Sequence, residues 1–281
     1  MIGIVYSGED AAGTNIASAI SEKSGLQQED GLASKDGRHE VGLHTGNFQG
    51  IPLSLFKADS RLSNQSEFLS ELEELKKCEL VIFASRHRSA EGTPSFTAHS
   101  TGNWGGGLKW GGRERELGKT SARAIACAYR WFCKHKFEGF ENSMEATHHG
   151  PTSLAAPCVF VELGSGENEW GRQDAARHVA DCILHICGNW KNEPGKAAMA
   201  FGGTHYCSKF NPLVEDGKYC VSFVAPKYAI DSLDGKMVAQ MMEKTAGGVE
   251  VALVDWKGTN QPQRERLKNA FGQMDLQWER I

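Results

Sequence analysis

No Cys-x-x-Cys pair occurs among the eight cysteines of this 281-residue chain, so the ligand spacing of zinc fingers and ribbons is missing. No apolar run approaches the ~20 residues that would span a bilayer. Met1-Ile2-Gly3-Ile4-Val5-Tyr6 has no basic stretch ahead of its apolar residues and reads as a first strand rather than a signal peptide. The expectation is a cytoplasmic protein with reduced thiols and no membrane segment. There is no G-x-S-x-G elbow and no Walker loop, which leaves a hydrolase serine and a P-loop phosphotransferase without support. Proline/serine-rich linkers, repeats and low-complexity tails are also missing. One integrated α/β domain over 1–281 is expected.

The net charge of −4 argues against indiscriminate nucleic-acid binding, but the charge is unevenly spread. Lys109 to Lys136 holds eight Lys/Arg against two acids, Glu114 and Glu116. That segment reads either as a phosphate-backbone contact or as a solvated helix face. Cys207 follows His205 inside a candidate site loop, and reads as a packed thiol.

Apolar runs predict strands at 2–6, 39–44, 51–57, 80–85, 143–148, 158–163, 197–202, 220–225 and 249–254. Periodicity predicts helices near 13–23, 65–77, 120–136, 169–187, 233–246 and 261–272. Ala176, Val179, Ala180, Ile183, Leu184 and Cys187 form one stripe on the fourth of these. Phe68, Leu69, Leu72 and Leu75 do the same on 65–77, with Ser63-Asn64 as capping residues. Such alternation implies a mixed, largely parallel sheet covered by helices, with a hairpin through Gly46–Gly50. The glycine-rich stretch 86–119 has little periodicity and reads as a long functional loop.

Three histidine-bearing segments follow strand candidates, where open α/β sheets bind ligands. Leu80–Ser85 runs into Arg86-His87-Arg88, Ser143–Thr147 into His148-His149-Gly150-Pro151, and Ala197–Gly202 into Gly203-Thr204-His205-Tyr206. Strand alternation would put Glu145, Thr147 and His149 on one face and His148 on the other. Arg86 and Arg88 suit bidentate phosphate contacts, and Lys209 offers a point charge. Gly164-Ser165-Gly166-Glu167-Asn168-Glu169 departs from G-x-G-x-x-G, and its acids oppose a phosphate at the helix start, so a nucleotide cofactor is not expected. Glu162 and Glu167 suit a cation or an amine, or cap the helix. These imidazoles and carboxylates point to an enzyme.

Ser85-Arg86-His87-Arg88-Ser89, Thr97-Ala98-His99-Ser100-Thr101-Gly102-Asn103-Trp104, Met144-Glu145-Ala146-Thr147-His148-His149-Gly150-Pro151-Thr152, Phe160-Val161-Glu162-Leu163-Gly164-Ser165 and Gly202-Gly203-Thr204-His205-Tyr206 follow in order. Together they resemble the archaeal and plant type of D-aminoacyl-tRNA deacylase. Tyr6–Asp10 with Asn15-Ile16, and Asp255-Trp256-Lys257-Gly258, fit the same family. The resemblance implies a phosphorylase/hydrolase-like α/β fold and zinc-dependent hydrolysis of the ester between a D-amino acid and the 3′-terminal ribose of tRNA. It further implies His99, His149 and His205 as metal ligands, with His148 as an alternative. Glu145, His148, His149 and Glu162 become candidates for catalysis. Arg86, His87, Arg88, Asn103, Thr204, Tyr206 and Lys209 are expected to bind substrate, and the basic 109–136 segment to meet the acceptor stem. A monomer is expected. A zinc-dependent amidohydrolase or esterase for small molecules, and a non-catalytic RNA-binding protein, are the rival readings.

Overall fold

The computed structural model of the chain describes residues 1–33, 39–62, 66–105 and 111–281. Ser63 and Asn64 thus lie outside the described residues, as does Lys109. The chain opens with β1 (Ile2–Ser7), α1 (Ala11–Ser24), β2 (Gln27–Ala33), β3 (Glu40–Phe48) and β4 (Ile51–Ala58). Two short helices, α2 (Ser66–Glu71) and α3 (Glu73–Lys76), lead into β5 (Leu80–Arg86) and β6 (Ser95–His99). Next come α4 (Ala122–Lys134), β7 (Glu141–Met144), β8 (Cys158–Gly164), α5 (Glu167–Trp170) and α6 (Gln173–Asn189). The last third holds β9 (Lys196–Phe201), α7 (Asn211–Glu215), β10 (Tyr219–Ala225), α8 (Gly235–Glu243), β11 (Val251–Val254), α9 (Gln261–Gln273) and β12 (Trp278–Arg280).

Eight strands form one sheet in the order β2-β3-β4-β1-β5-β8-β6-β7, and four form a second, β10-β9-β11-β12. The chain is therefore a mixed, largely parallel α/β protein. β4, β1, β5 and β8 run parallel, and so does every pair in the second sheet. The β3–β4 hairpin is antiparallel, as its turn predicts. β6 runs antiparallel to β8, with β7 parallel to β6. Among the described residues no helix is long and apolar enough to cross a membrane.

Alternation divides the central strands between two apolar layers. Ile4, Ile82, Ala84, Val159, Val161 and Leu163 face α1, α4 and α6, whose expected stripe from Ala176 to Cys187 is buried there. The same cluster takes in Ala198, Val221 and Leu253 of the second sheet. On the opposite face Val5, Phe83 and Phe160 pack with Leu69, Leu72 and Leu75. Burying each of the Val, Leu, Ile and Phe side chains among these stabilises the fold by about 1.5–3 kcal/mol.

Several expected elements differ in detail. The helix expected at 65–77 breaks at Leu72, whose extended backbone (ψ 117°) lets Leu69, Leu72 and Leu75 all reach the core. The 86–119 stretch contains a strand, β6, held by pairing with both β8 and β7. β2 was not expected because its residues are polar and solvent-facing; its pairing with β3 alone holds it. The strand expected at 143–148 ends at Met144. Beyond it Ala146 N donates to His205 O (2.7 Å) and Thr147 N to Val224 O (3.0 Å), so the chain turns from the first sheet to the second.

A candidate active site between the two sheets

Pairing in register places one face of β5, β8 and β6 under a cavity of about 510 Å³. Ser85 pairs with Glu162 and Glu162 with Thr97; two residues deeper, Phe83 pairs with Phe160 and Phe160 with His99. Phe160 stacks on Phe83 (4.6 Å) and on His99 (5.1 Å), which fixes the His99 ring. Arg86, His87 and Arg88 enter from the carboxyl end of β5, and His205 from the loop after β9. Glu145, His148 and His149 come from the turn after β7. Because β6 and β7 oppose β8, their histidines reach the site from the other direction, not from a shared row of carboxyl ends. The expected two-faced arrangement also fails: Glu145, His148 and His149 all line the cavity, while Thr147 is buried against Ser100 (2.7 Å) and Val224 N (3.0 Å). His149 sits at φ 43°, a left-handed conformation that costs a non-glycine residue about 1–3 kcal/mol and points to a functional constraint.

Two buried carboxylates organise the centre. Glu145 Oε2 lies 2.8 Å from His205 Nε2, and Glu145 Oε1 lies 3.1 Å from His87 Nδ1. Glu162 approaches His87 Nδ1 at 3.5 Å and His99 Nε2 at 3.7 Å. Burial opposes the charge on His87, His99, Glu145 and Glu162, but the pairs outweigh it. The His87 imidazolium is favoured by Glu145 and Glu162, which push its pKa up to about 11. Glu162 drops to about 2 beside His87 and His99, and Glu145 falls well below the carboxylate range beside His205 and His87. His99 is raised, with Glu162 overcoming its desolvation. His148 and His149 go the other way: burial and the neighbouring His99 charge depress both, His149 to about 4.

The tautomers of three imidazoles follow from their partners. Nδ1 of His99, His148 and His149 contacts the backbone oxygens of Ser100 (3.0 Å), Ala146 (2.8 Å) and Gly150 (2.7 Å). A carbonyl only accepts, so each Nδ1 carries a proton. On His148 and His149, both held toward the neutral form, Nε2 keeps its lone pair, while His99 Nε2 faces Glu162 at 3.7 Å. The three rings lie 4.3–5.0 Å apart by centroid, and each offers a ligand atom within 4.8 Å of the others. The expected ligand trio is thus divided. His99 and His149 group with His148, whereas His205 groups with His148 and Glu145. Cys127, His185 and Glu193 also cluster, but Arg130 already pairs with Glu193 at 2.7 Å and Arg123 donates to its backbone oxygen. Those cations disfavour a metal there.

Other expected site residues are scattered. Arg86 and Arg88 both stand 5.1 Å over the Trp170 ring, whose Nε1 donates to His87 O (2.9 Å). Tyr206 OH meets His87 Nε2 at 3.2 Å. Asn103 instead holds Gly111 O (2.9 Å) and Arg113 O (3.1 Å), and neither Thr204 nor Lys209 lines the cavity. Glu167 opens α5 away from the cavity lining. Within the basic segment, Arg115 is spent on Ser232 O and Asp234 (both 2.7 Å), Arg123 on Glu193 O, and Arg130 on Glu193. Cys207 is buried, as a packed thiol. The sequence assigned no role to Asp10 or Trp170. Asp10 caps α1 through Gly13 N (3.1 Å) and accepts Arg86 N (2.8 Å), so it anchors the arginine-bearing turn. Its signal was the Ser-Gly-Glu-Asp run before an apolar helix.

The model of a family described as D-aminoacyl-tRNA deacylase matches residues 74–279. The protein named D-aminoacyl-tRNA deacylase in Thermococcus kodakarensis is 35% identical over 202 residues, covering 72% of this chain and 74% of that protein. Its namesake in Desulfurococcus amylolyticus is 31% identical over 280 residues, 98% of each chain. A crystal structure described as a conserved protein of unknown function superposes with a TM-score of 0.85 at 24% identity, covering 100% of this chain and 95% of the other. That likeness establishes the fold alone.

Proposed function

The chain belongs to the D-aminoacyl-tRNA deacylase family, and from that premise we propose that its cavity hydrolyses the ester between a D-amino acid and the 3′-terminal ribose of tRNA. The reaction is a proofreading step on charged tRNA, which carries with it a cytoplasmic location. One observation supports the assignment to this cavity above others. The ionised, buried Glu145 holds His205 Nε2 at 2.8 Å, so that nitrogen must be the donor. His205 Nδ1 then keeps its lone pair, the arrangement of a general base oriented by a carboxylate.

His205 Nδ1 takes the proton of an attacking water and returns it to the ribose oxygen as the ester bond breaks. Glu145 stabilises the imidazolium in between and acts as a positioning residue. His87 is charged, so its Nε2–H donates to the Tyr206 oxygen. The Tyr206 hydroxyl proton is thereby left for the ester carbonyl, where negative charge develops. Arg86 and Arg88, stacked on Trp170, present a fixed pair of cations to phosphate.

The residues fit a zinc ion at His99, His148 and His149. Backbone carbonyls fix their Nδ1 protons, which leaves Nε2 of His148 and His149 for the metal. His99 Nε2, buried without a hydrogen bond and 3.7 Å from Glu162, would give up its proton to join them. Zinc, when bound, supplies positive charge for the oxyanion and lowers the pKa of its water to about 7. Release of tyrosine from D-tyrosyl-tRNA and L-tyrosyl-tRNA by the purified protein tests the function. Release from the D-ester alone is expected, and release from neither overturns the reading.

A further inference from the structure

Asp255-Trp256-Lys257-Gly258 has no place in the cavity, yet it is built with care onto the same edge of the molecule. β10, β9, β11 and β12 are parallel, so the loops after them lie side by side. His205 follows β9, Trp256 follows β11, and Arg280 ends β12. The first two loops touch. A Cβ on Gly202, whose φ of 103° already favours glycine, would meet Asp255 Cβ at 2.9 Å. Asp255 in turn accepts Gly258 N (2.9 Å) on its carboxylate and the Thr259 hydroxyl (2.9 Å) on its backbone oxygen, shaping the turn that presents Trp256. Trp256 N donates to Ile281 O at 3.0 Å, drawing in the chain end.

The Trp256 and Trp278 rings stack, with centroids 5.9 Å apart and planes 8° from parallel. Three cations converge on Trp256: Arg264 at 4.6 Å, Arg280 at 5.0 Å and Lys268 at 5.4 Å from its centroid. Among the described residues the ion pairs in this group are confined to Lys268 with Glu265, at 3.2 Å. Arg280 has no carboxylate partner there, and Trp278 is 37% exposed. Like charges gathered around an aromatic stack, with acid on only one of them, suit a polyanion that carries bases.

We propose that this edge is a second contact with the substrate RNA, where Trp278 stacks a base while Arg280 and Lys268 hold phosphates of the strand leading away from the ester. The proposal rests on the deacylase reading for the identity of the RNA. From β9 to β12 is two strand spacings, on the order of 10 Å, so a strand whose 3′ end lies at His205 passes this edge within a few nucleotides. The alternative carrier, the 109–136 segment, has Arg115, Arg123 and Arg130 already paired with other groups of the protein.

Equilibrium binding of deacylated tRNA, over a range of salt, tests the contact directly. The Lys268→Ala/Arg280→Ala protein should bind at least about tenfold more weakly near ~0.1 M salt, with the slope of log K against log salt reduced by about 1–2. Trp278→Ala should weaken binding by roughly 5- to 100-fold, and Trp278→Phe should recover most of it. An unchanged affinity and slope in the double variant overturns the proposal. Turnover separates this contact from the site. The double variant should raise KM for D-tyrosyl-tRNA but not for 3′-O-D-tyrosyl-adenosine; an equal rise for both overturns the proposal. If the unsubstituted protein hydrolysed neither compound, the deacylase reading would fall, while the tRNA titration would still decide the contact. Equal unfolding midpoints for all variants check that the fold is kept.

Discussion

His87 and His205 grip the two oxygens of one buried carboxylate, Glu145, at 3.1 Å and 2.8 Å. The first imidazole comes from the end of β5, the second from the loop after β9. Glu145→Gln keeps the shape and removes the charge that both histidines answer. Its kcat on D-tyrosyl-tRNA should fall by about 10²–10⁴, the usual contribution of a positioned acid–base group, with KM little changed. A drop of less than about threefold in steady-state assays would count against the Glu145–His205 pair.

Gly164 is where β8 passes closest to His87. A Cβ there would meet His87 Cβ at 2.6 Å and Cδ2 at 2.7 Å, and backbone proximity leaves the ring little room to retreat. Gly164→Ala should therefore cost about 1–3 kcal/mol in urea unfolding through overpacking, and lower kcat by displacing the imidazolium. Wild-type kcat in this variant would show that the position of His87 is immaterial to turnover.

The stability of the metal-free protein should peak near pH 6.5. His87 has a raised folded pKa, so its stabilisation is complete below about 6.5 and drains away as pH climbs toward about 11. His149 is depressed to about 4, so protonation of the unfolded chain erodes stability as pH falls from about 6.5. Glu162, lowered to about 2, adds a further loss below about 4.5. Urea midpoints across pH 4–9 measure this, with each proton contributing at most about 1.4 kcal/mol per pH unit. A flat profile would contradict the buried charges.

Zinc analysis separates the histidines by role. His148 belongs to two of the groupings of potential ligands, so His148→Ala should lose zinc and activity together. Tyr206→Phe should keep its zinc but lose turnover, roughly a hundred- to a thousandfold for one hydrogen-bond donor to the oxyanion. Chelation should silence the unsubstituted protein and added zinc restore it. Full activity after exhaustive chelation would dismiss the metal.

Arg86 and Arg88 share the Trp170 ring, so their contribution should be cooperative. The Arg86→Ala/Arg88→Ala protein is expected to raise KM for charged tRNA at least tenfold with kcat nearly unchanged, as loss of uniform binding does. A D-tyrosine methyl ester, which carries no phosphate, should show no such penalty. If it does, the arginines act on the ester itself.

Much of this architecture was legible in the order of residues. The stripe from Ala176 to Cys187 and the runs at 80–85 and 158–163 identified the buried layers, because periodicity reports which face meets apolar neighbours. β6 escaped notice because Ser95–His99 is only five residues long and carries polar Ser95, Thr97 and His99 on one face, with apolar Phe96 and Ala98 alone on the other. The histidines and Glu145 and Glu162 could be named from their chemistry and from resemblance. Which of them shared a ring of contacts could not, since His99, His149 and His205 come from strands of opposed direction and from different sheets. Asn103 sits within a motif but serves the loop, while Thr204 and Lys209 face solvent. Arg115, Arg123 and Arg130 show why a basic run is ambiguous: charge counts do not reveal that each guanidinium is taken up by a carbonyl or carboxylate of the protein itself.

His205 is the one cavity-lining residue among those described that the four-stranded sheet provides, and Ala146 N is bonded to its backbone oxygen. A chain emerging during synthesis therefore holds an inert half-site until its last third has been made and β9 has docked. Activity of this protein is in that sense a receipt for completed folding: no fragment ending before residue 205 can carry the base, however well its larger sheet forms.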